Sequence, residues 1–165
     1  MRCAADTGAL LSLACSAYFH SFLEEHTLIT TKEVHDELVT FSAYNDFLGQ
    51  QAQKILKCVQ EKKIIKEEAS VFLRLKISPA ELSIFSLGKE KKYFILTDDI
   101  HAARVAQQQL HLSSRPSFFL LLLLYKKKKV TKQELLLDME TIAQQRNWMN
   151  GVLYRYVKDI IESLK

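Results

Sequence analysis

Two short apolar runs in this chain end in acids, Ala4-Ala5-Asp6-Thr7 and Phe94-Ile95-Leu96-Thr97-Asp98-Asp99. If each run is a strand of an open parallel sheet, its acid faces the crevice beyond the carboxyl ends of the strands, where such sheets bind ligands. Two further acids lie on helices expected to begin near the same edge: Glu37 in Thr30-Thr31-Lys32-Glu33-Val34-His35-Asp36-Glu37-Leu38, and Glu81 in Ser78-Pro79-Ala80-Glu81-Leu82. Between the adjacent Asp98 and Asp99, either could point inward. Grouped carboxylates repel one another, so in an empty site some stay protonated and their titrations couple. A divalent cation removes that repulsion, and an oxygen-only donor set favours magnesium or manganese over zinc. Such an ion acidifies a bound water and neutralises a phosphodiester, so the chemistry expected is in-line hydrolysis. Taken singly, each acid is as readily a helix cap; the functional reading rests on the set. Asp36 and Glu33 read as solvated or capping residues.

The elements that must position these acids follow from apolar periodicity. A strand at Cys3–Asp6 leads into a helix that Thr7 can cap, carrying Leu10, Leu11, Leu13 and Ala14. A strand at Leu28–Thr30 is followed by a helix with Val34, Leu38 and Phe41 on one side. Thr31 is its expected N-cap, and Thr30 with Glu33 offers one capping box. A long helix is expected from Tyr44 to Glu61, then a short apolar piece at Ile64 and Ile65; residues 69–77 fit no element. Pro79 opens a helix running to about Gly88. Tyr93–Thr97 reads as a buried strand, followed by a helix from His101 to about Gln109 and a strand near His111–Ser113. From Pro116 onward three helices are expected. Strands alternating with helices make the fold class α/β, with a mostly parallel sheet.

Composition narrows the classes. The 165 residues are 48% hydrophobic and 25% charged, with four glycines, two prolines and no linker-like stretch, so one domain is expected across 1–165. Cys3, Cys15 and Cys58 are widely spaced and read as buried free thiols of a cytoplasmic protein. No secretory signal is recognisable, and the apolar run Phe118–Tyr125 is far short of a membrane span, so it reads as a buried helix. A net charge of +4 permits a nucleic-acid partner without requiring one. The lysines at 126–129 read first as a solvated helix end. The five histidines lack zinc spacing, and no nucleotide-cradling glycine loop is present. An aspartate-dependent phosphatase is disfavoured, because Thr7-Gly8 follows Asp6 where a D-x-D pair is needed. Trp148, Tyr154 and Tyr156 read as packing residues ahead of base-stacking ones, although aromatic stacking is how single-stranded RNA is commonly held.

Four segments carry a family resemblance. Asp6-Thr7-Gly8-Ala9-Leu10 resembles the opening D-[ST]-x-x-L of PIN domains, the fold of VapC-type toxins and several RNA-processing endonucleases. Thr31 to Leu38 resembles their T-x-x-V-x-x-E-L segment, placing the second acid on Glu37. Glu81 to Leu87 is similar to the [DE]-x-x-[ILVY]-x-x-L helix. Thr97-Asp98-Asp99 with Ala102 to Ala106 resembles the T-x-D strand end and the basic, alanine-rich helix after it, which selects Asp99 as the fourth acid. The likeness spans about the first two thirds of the chain. It departs at Glu81, where aspartate is common, and at Ile100, where many members carry a base.

The resemblance implies a three-layer α/β/α fold with a core at about 1–115 and a helical extension at about 116–165. It implies a magnesium- or manganese-dependent endoribonuclease in which Asp6, Glu37, Glu81 and Asp99 are catalytic and bind metal, with Asp98 supporting. Thr7 and Thr97 would orient these ligands. Arg104 and Lys126, Lys127, Lys128 and Lys129 would meet RNA phosphates. Toxins of this kind usually have an antitoxin protein as partner and often form homodimers. The alternative is a catalytically idle PIN-like module that binds RNA or protein.

Overall fold

A computed structural model describes residues 1–71 and 73–164. Phe72, within the unassigned segment, and Lys165, at the end of the expected extension, lie outside the described residues. Five parallel strands form one sheet in the order β3-β2-β1-β4-β5: β1 Arg2–Ala5, β2 Thr27–Thr30, β3 Ile64–Lys66, β4 Phe94–Leu96 and β5 Ser114–Arg115. Nine helices surround it among the described residues: α1 Thr7–Cys15, α2 Phe19–Glu25, α3 Lys32–Ser42, α4 Phe47–Gln60, α5 Pro79–Lys91, α6 Ile100–Gln108, α7 Phe119–Lys126, α8 Lys132–Gln145 and α9 Val152–Ser163. This is the three-layer α/β/α arrangement expected.

The centre of the sheet is β1, paired with β2 on one side and β4 on the other. Its Cys3, Ala4 and Ala5 are fully buried, so helices cover both faces, and the small alanines let them approach closely. The strand order runs outward in opposite directions from β1 and β4, which makes the gap between their carboxyl ends the topological switch point. The α1 helix is buried on nearly every side and packs against α3, α4 and α8. α8 is one of several attachments of the carboxyl-terminal extension to the core, beside Ser117 at Asp98 and Phe119 stacked on Phe94.

Several boundaries differ from expectation for physical reasons. Ser16 ends α1: its Oγ donates to Asp138 and accepts from the Tyr18 N–H, and the unforeseen α2 follows. Thr31 caps α3 by accepting from the Val34 N–H at 3.4 Å, so Thr30 remains in β2 and the Thr30–Glu33 capping box does not form. Asp46 caps α4, so that helix begins at Phe47 and not at Tyr44. The Tyr44 carbonyl oxygen passes 2.0 Å from where a Gly49 Cβ would stand, so only glycine admits this turn. The last strand falls at Ser114–Arg115, not His111–Ser113, because His111 takes φ 54° and the Leu112 N–H donates back to Ala106. The three cysteines are buried and free, and burial pushes the Cys3 thiol up to about 12.

Candidate active site

The backbone delivers the acids to the switch point. Asp6 follows β1 directly; its N–H donates to the Leu96 carbonyl, and its Oδ1 accepts from the Ala9 N–H at 2.7 Å, capping α1. Asp99 stands just beyond β4 and caps α6 in the same way, accepting from the Ala102 N–H at 2.8 Å. Glu81 is the third residue of α5 and closes a capping box with Ser78, a bond pair the spacing S-x-x-E could have announced. Glu37 rises from the second turn of α3. Three helix N-termini thus converge on the acids, and their partial positive charge offsets part of the carboxylate repulsion. The cap reading and the site reading hold together, since one carboxyl oxygen can cap while the group lines the cleft.

These residues line one open cleft of about 290 Å³, together with Thr7, Gly8, Ser78, Ala80, Asp98, Arg146 and Trp148. Burial pushes the Asp6 carboxyl up from 3.8 to about 7, against the lowering effect of hydrogen bonds from Thr97 and the Ala9 N–H; Asp98 and Glu81 add repulsion. Asp98 is raised too, chiefly by burial, while the Ser117 N–H at 2.8 Å and Oγ at 2.9 Å hold its two oxygens. Thr7 donates to Glu37 at 2.5 Å. Thr97, fully buried, bonds to Asp6 and accepts from the Asp99 N–H at 3.2 Å. Both threonines therefore touch the acids they were expected to orient.

The donor set is all oxygen, which fits a hard cation. As the side chains stand, no three of the His, Cys, Asp and Glu among the described residues are grouped closely enough to hold an ion.

The expected RNA-contacting cations are not brought to this cleft. Arg104 is exposed on α6 and is not among the residues lining it. Lys127 and Lys129 pair with Glu25, which ends α2 just before β2 begins. The lysine run therefore sits at the amino edge of the sheet, opposite the acids. Sequence reasoning missed Arg146 outright, and for Trp148 it preferred packing to base stacking. No motif marks either residue; both come from the turn joining α8 to α9. Tyr154 is buried as expected, whereas Tyr156 is 52% exposed and does not pack. A larger hollow of about 1120 Å³ beside α3, α4 and β3 contains no carboxylate, so size does not locate the chemistry.

A family model described as a PIN domain matches residues 3–163. No curated protein matches the chain. Among solved structures, the chain is similar to a PilT N-terminus domain protein from the hyperthermophilic archaeon Sulfolobus solfataricus P2. The TM-score is 0.50 at 12% identity, over 73% of this chain and 90% of that one. At that identity the likeness speaks for the fold.

Proposed function

The chain belongs to the PIN-domain family, a family of nuclease type that typically uses divalent metals, and on that premise we propose that it is a magnesium- or manganese-dependent endoribonuclease. The observation that carries this reading is the gathering of Asp6, Glu37, Glu81, Asp98 and Asp99 in one cleft at the switch point of the sheet. Asp6, Glu37, Glu81 and Asp99 would hold the ion, with Asp98 beside them. When bound, a hard cation supplies charge neutralisation at the phosphodiester and an acidified water for attack.

The chain's own groups do the rest. Thr97 fixes Asp6, Thr7 fixes Glu37 and Ser117 fixes Asp98, so the carboxylates are oriented before substrate arrives. Burial is the main cause of the raised Asp6 carboxyl, and repulsion from Asp98 and Glu81 adds to it. We further propose the role of toxin in a type II toxin–antitoxin pair, with an antitoxin protein as partner, a homodimeric state and a cytoplasmic setting. Three buried free thiols favour that compartment, and no helix among the described residues is long and apolar enough to cross a membrane.

One observation favours a second reading, an idle PIN-like module that binds RNA or protein: no ion-holding trio is preassembled among the described residues. Two measurements separate them. Mixed RNAs should be cleaved with manganese or magnesium and spared in EDTA, and equal cleavage by an Asp6→Asn, Asp99→Asn double variant would sink the nuclease. Manganese should raise the melting temperature of the wild type, since a ligand of the folded state stabilises it, whereas an idle module should not respond.

A further inference from the structure

Of the described residues lining the acid cleft, Arg146 is the only cation and Trp148 the only aromatic ring. Both are set by the end of α8. The Arg146 N–H donates to Ile142 at 2.8 Å, Asn147 takes φ 55°, and the Trp148 N–H donates to Ala143 at 2.7 Å. That turn holds the guanidinium carbon 5.5 Å from the centre of the indole. Trp148 also lines an apolar hollow with Phe118, Met139 and Leu153, so the residue stands between that hollow and the cleft.

Among the described residues the guanidinium has no protein acceptor. Arg146 Nη2 lies 3.8 Å from where a Gly8 Cβ would stand, and Asp6 Oδ1 lies 3.5 Å from the same point, so the two groups are neighbours. Yet Arg146 makes no ion pair among the described residues, and its buried Nε has no hydrogen-bond partner there. A guanidinium that lines the cleft without an ion pair has donors to offer an acceptor from outside the chain. A guanidinium fork suits two oxygens of one phosphate, and an indole beside it suits the face of a base.

We propose that Arg146 and Trp148 form the substrate-holding half of the cleft. The Arg146 fork takes the non-bridging oxygens of the phosphate next to the carboxylates, and Trp148 stacks the base of an adjoining unpaired nucleotide. The ligand's identity as RNA rests on the ribonuclease reading above. A base already stacked in a duplex cannot lie on the ring, so the subsite selects single-stranded segments.

Trp148 is the only tryptophan in the chain, so its fluorescence reports on this site alone. The whole protein is titrated with a short single-stranded oligoribonucleotide and with a duplex of equal length, in EDTA and again with manganese. The single strand should quench Trp148 and the duplex should not. By anisotropy of labelled RNA, Arg146→Ala should weaken binding about tenfold and flatten the salt dependence by about 0.7 in log–log slope. Arg146→Lys should recover part of the affinity, and Trp148→Phe should retain more than Trp148→Ala, with circular dichroism verifying the fold of each. Quenching absent in both media, equal quenching by duplex, or unchanged affinity and salt slope in Arg146→Ala would each overturn the subsite. Quenching by RNA that no metal condition causes to be cut leaves the subsite standing and overturns the nuclease; cleavage with Trp148 unquenched does the reverse.

Discussion

Asparagine in place of Asp6 should make the metal-free protein more stable at alkaline pH, although it removes a group central to the site. The Asp6 carboxyl is buried and raised from 3.8 to about 7, chiefly by desolvation. A folded-state pKa above the unfolded one means that the folded chain binds more protons between those values, so stability falls as pH rises from about 4 to about 7. Roughly three pKa units correspond to about 4 kcal/mol lost by pH 8, against about 2 kcal/mol by pH 5. The asparagine side chain keeps an acceptor for the Ala9 N–H and carries no charge, but its NH2 brings donors worth about 1–2 kcal/mol if unmet. Asp6→Asn should therefore gain about 2–3 kcal/mol at pH 8 and close to nothing at pH 5. Urea unfolding in EDTA at both pH values measures this. Manganese should narrow the difference by stabilising the wild type alone. A variant destabilised equally at pH 5 and pH 8 would refute the account of Asp6 as a carboxyl whose charge is penalised by burial.

Other outcomes are expected elsewhere in the chain. Asp138 accepts from Ser16 Oγ at 2.6 Å and from the Ala17 N–H at 2.8 Å, tying α8 to the end of α1, so Asp138→Ala should lower stability by about 1–3 kcal/mol in urea titrations. Gly49→Ala should cost about 2–4 kcal/mol by thermal unfolding, since its Cβ would stand 2.0 Å from a backbone oxygen; a loss under about 0.5 kcal/mol would contradict that contact. Neutralising Lys126 and Lys128 together should leave kcat/KM on a short oligoribonucleotide within about twofold, because the lysine run lies at the sheet edge opposite the acids; a tenfold fall (about 1.4 kcal/mol) would show that substrate reaches it.

How far the site could be read from sequence depended on how local each signal is. Asp6 and Asp99 are legible because an apolar run ending in an acid sets both the strand and the position of its last side chain. Glu37 and Glu81 are less so: their place depends on where α3 and α5 begin, and a family likeness was needed to select them among neighbours such as Glu33 and Asp36. The α1–α2 break was not legible, since Ser16 ends the helix through Asp138, a residue far along the chain. The β5 register failed similarly. Leu112 looks like a strand residue, but its N–H is taken by Ala106 after a left-handed His111, and no local propensity announces that turn.

Arg146 and Trp148 mark the limit most clearly. In sequence they sit in a polar helix end with no spacing to any acid, and a tryptophan among apolar helices is ordinarily packing. Their place beside Asp6 goes with three features together: α8 packed against α1, the Asp138 tie between them, and a left-handed Asn147 after which the Trp148 N–H returns to Ala143, while the Arg146 side chain reaches Gly8. The position after Asp99 holds Ile100, where a base stands in many proteins this chain resembles. A cation is nonetheless present at the acids, and it comes from the extension. If the Arg146 subsite holds, the extension completes the cleft, and loosening the Asp138 tie should weaken RNA binding as well as the fold. An Asp138→Asn chain that stays folded but keeps full RNA affinity would separate the two and show that α8 is held in place by packing alone.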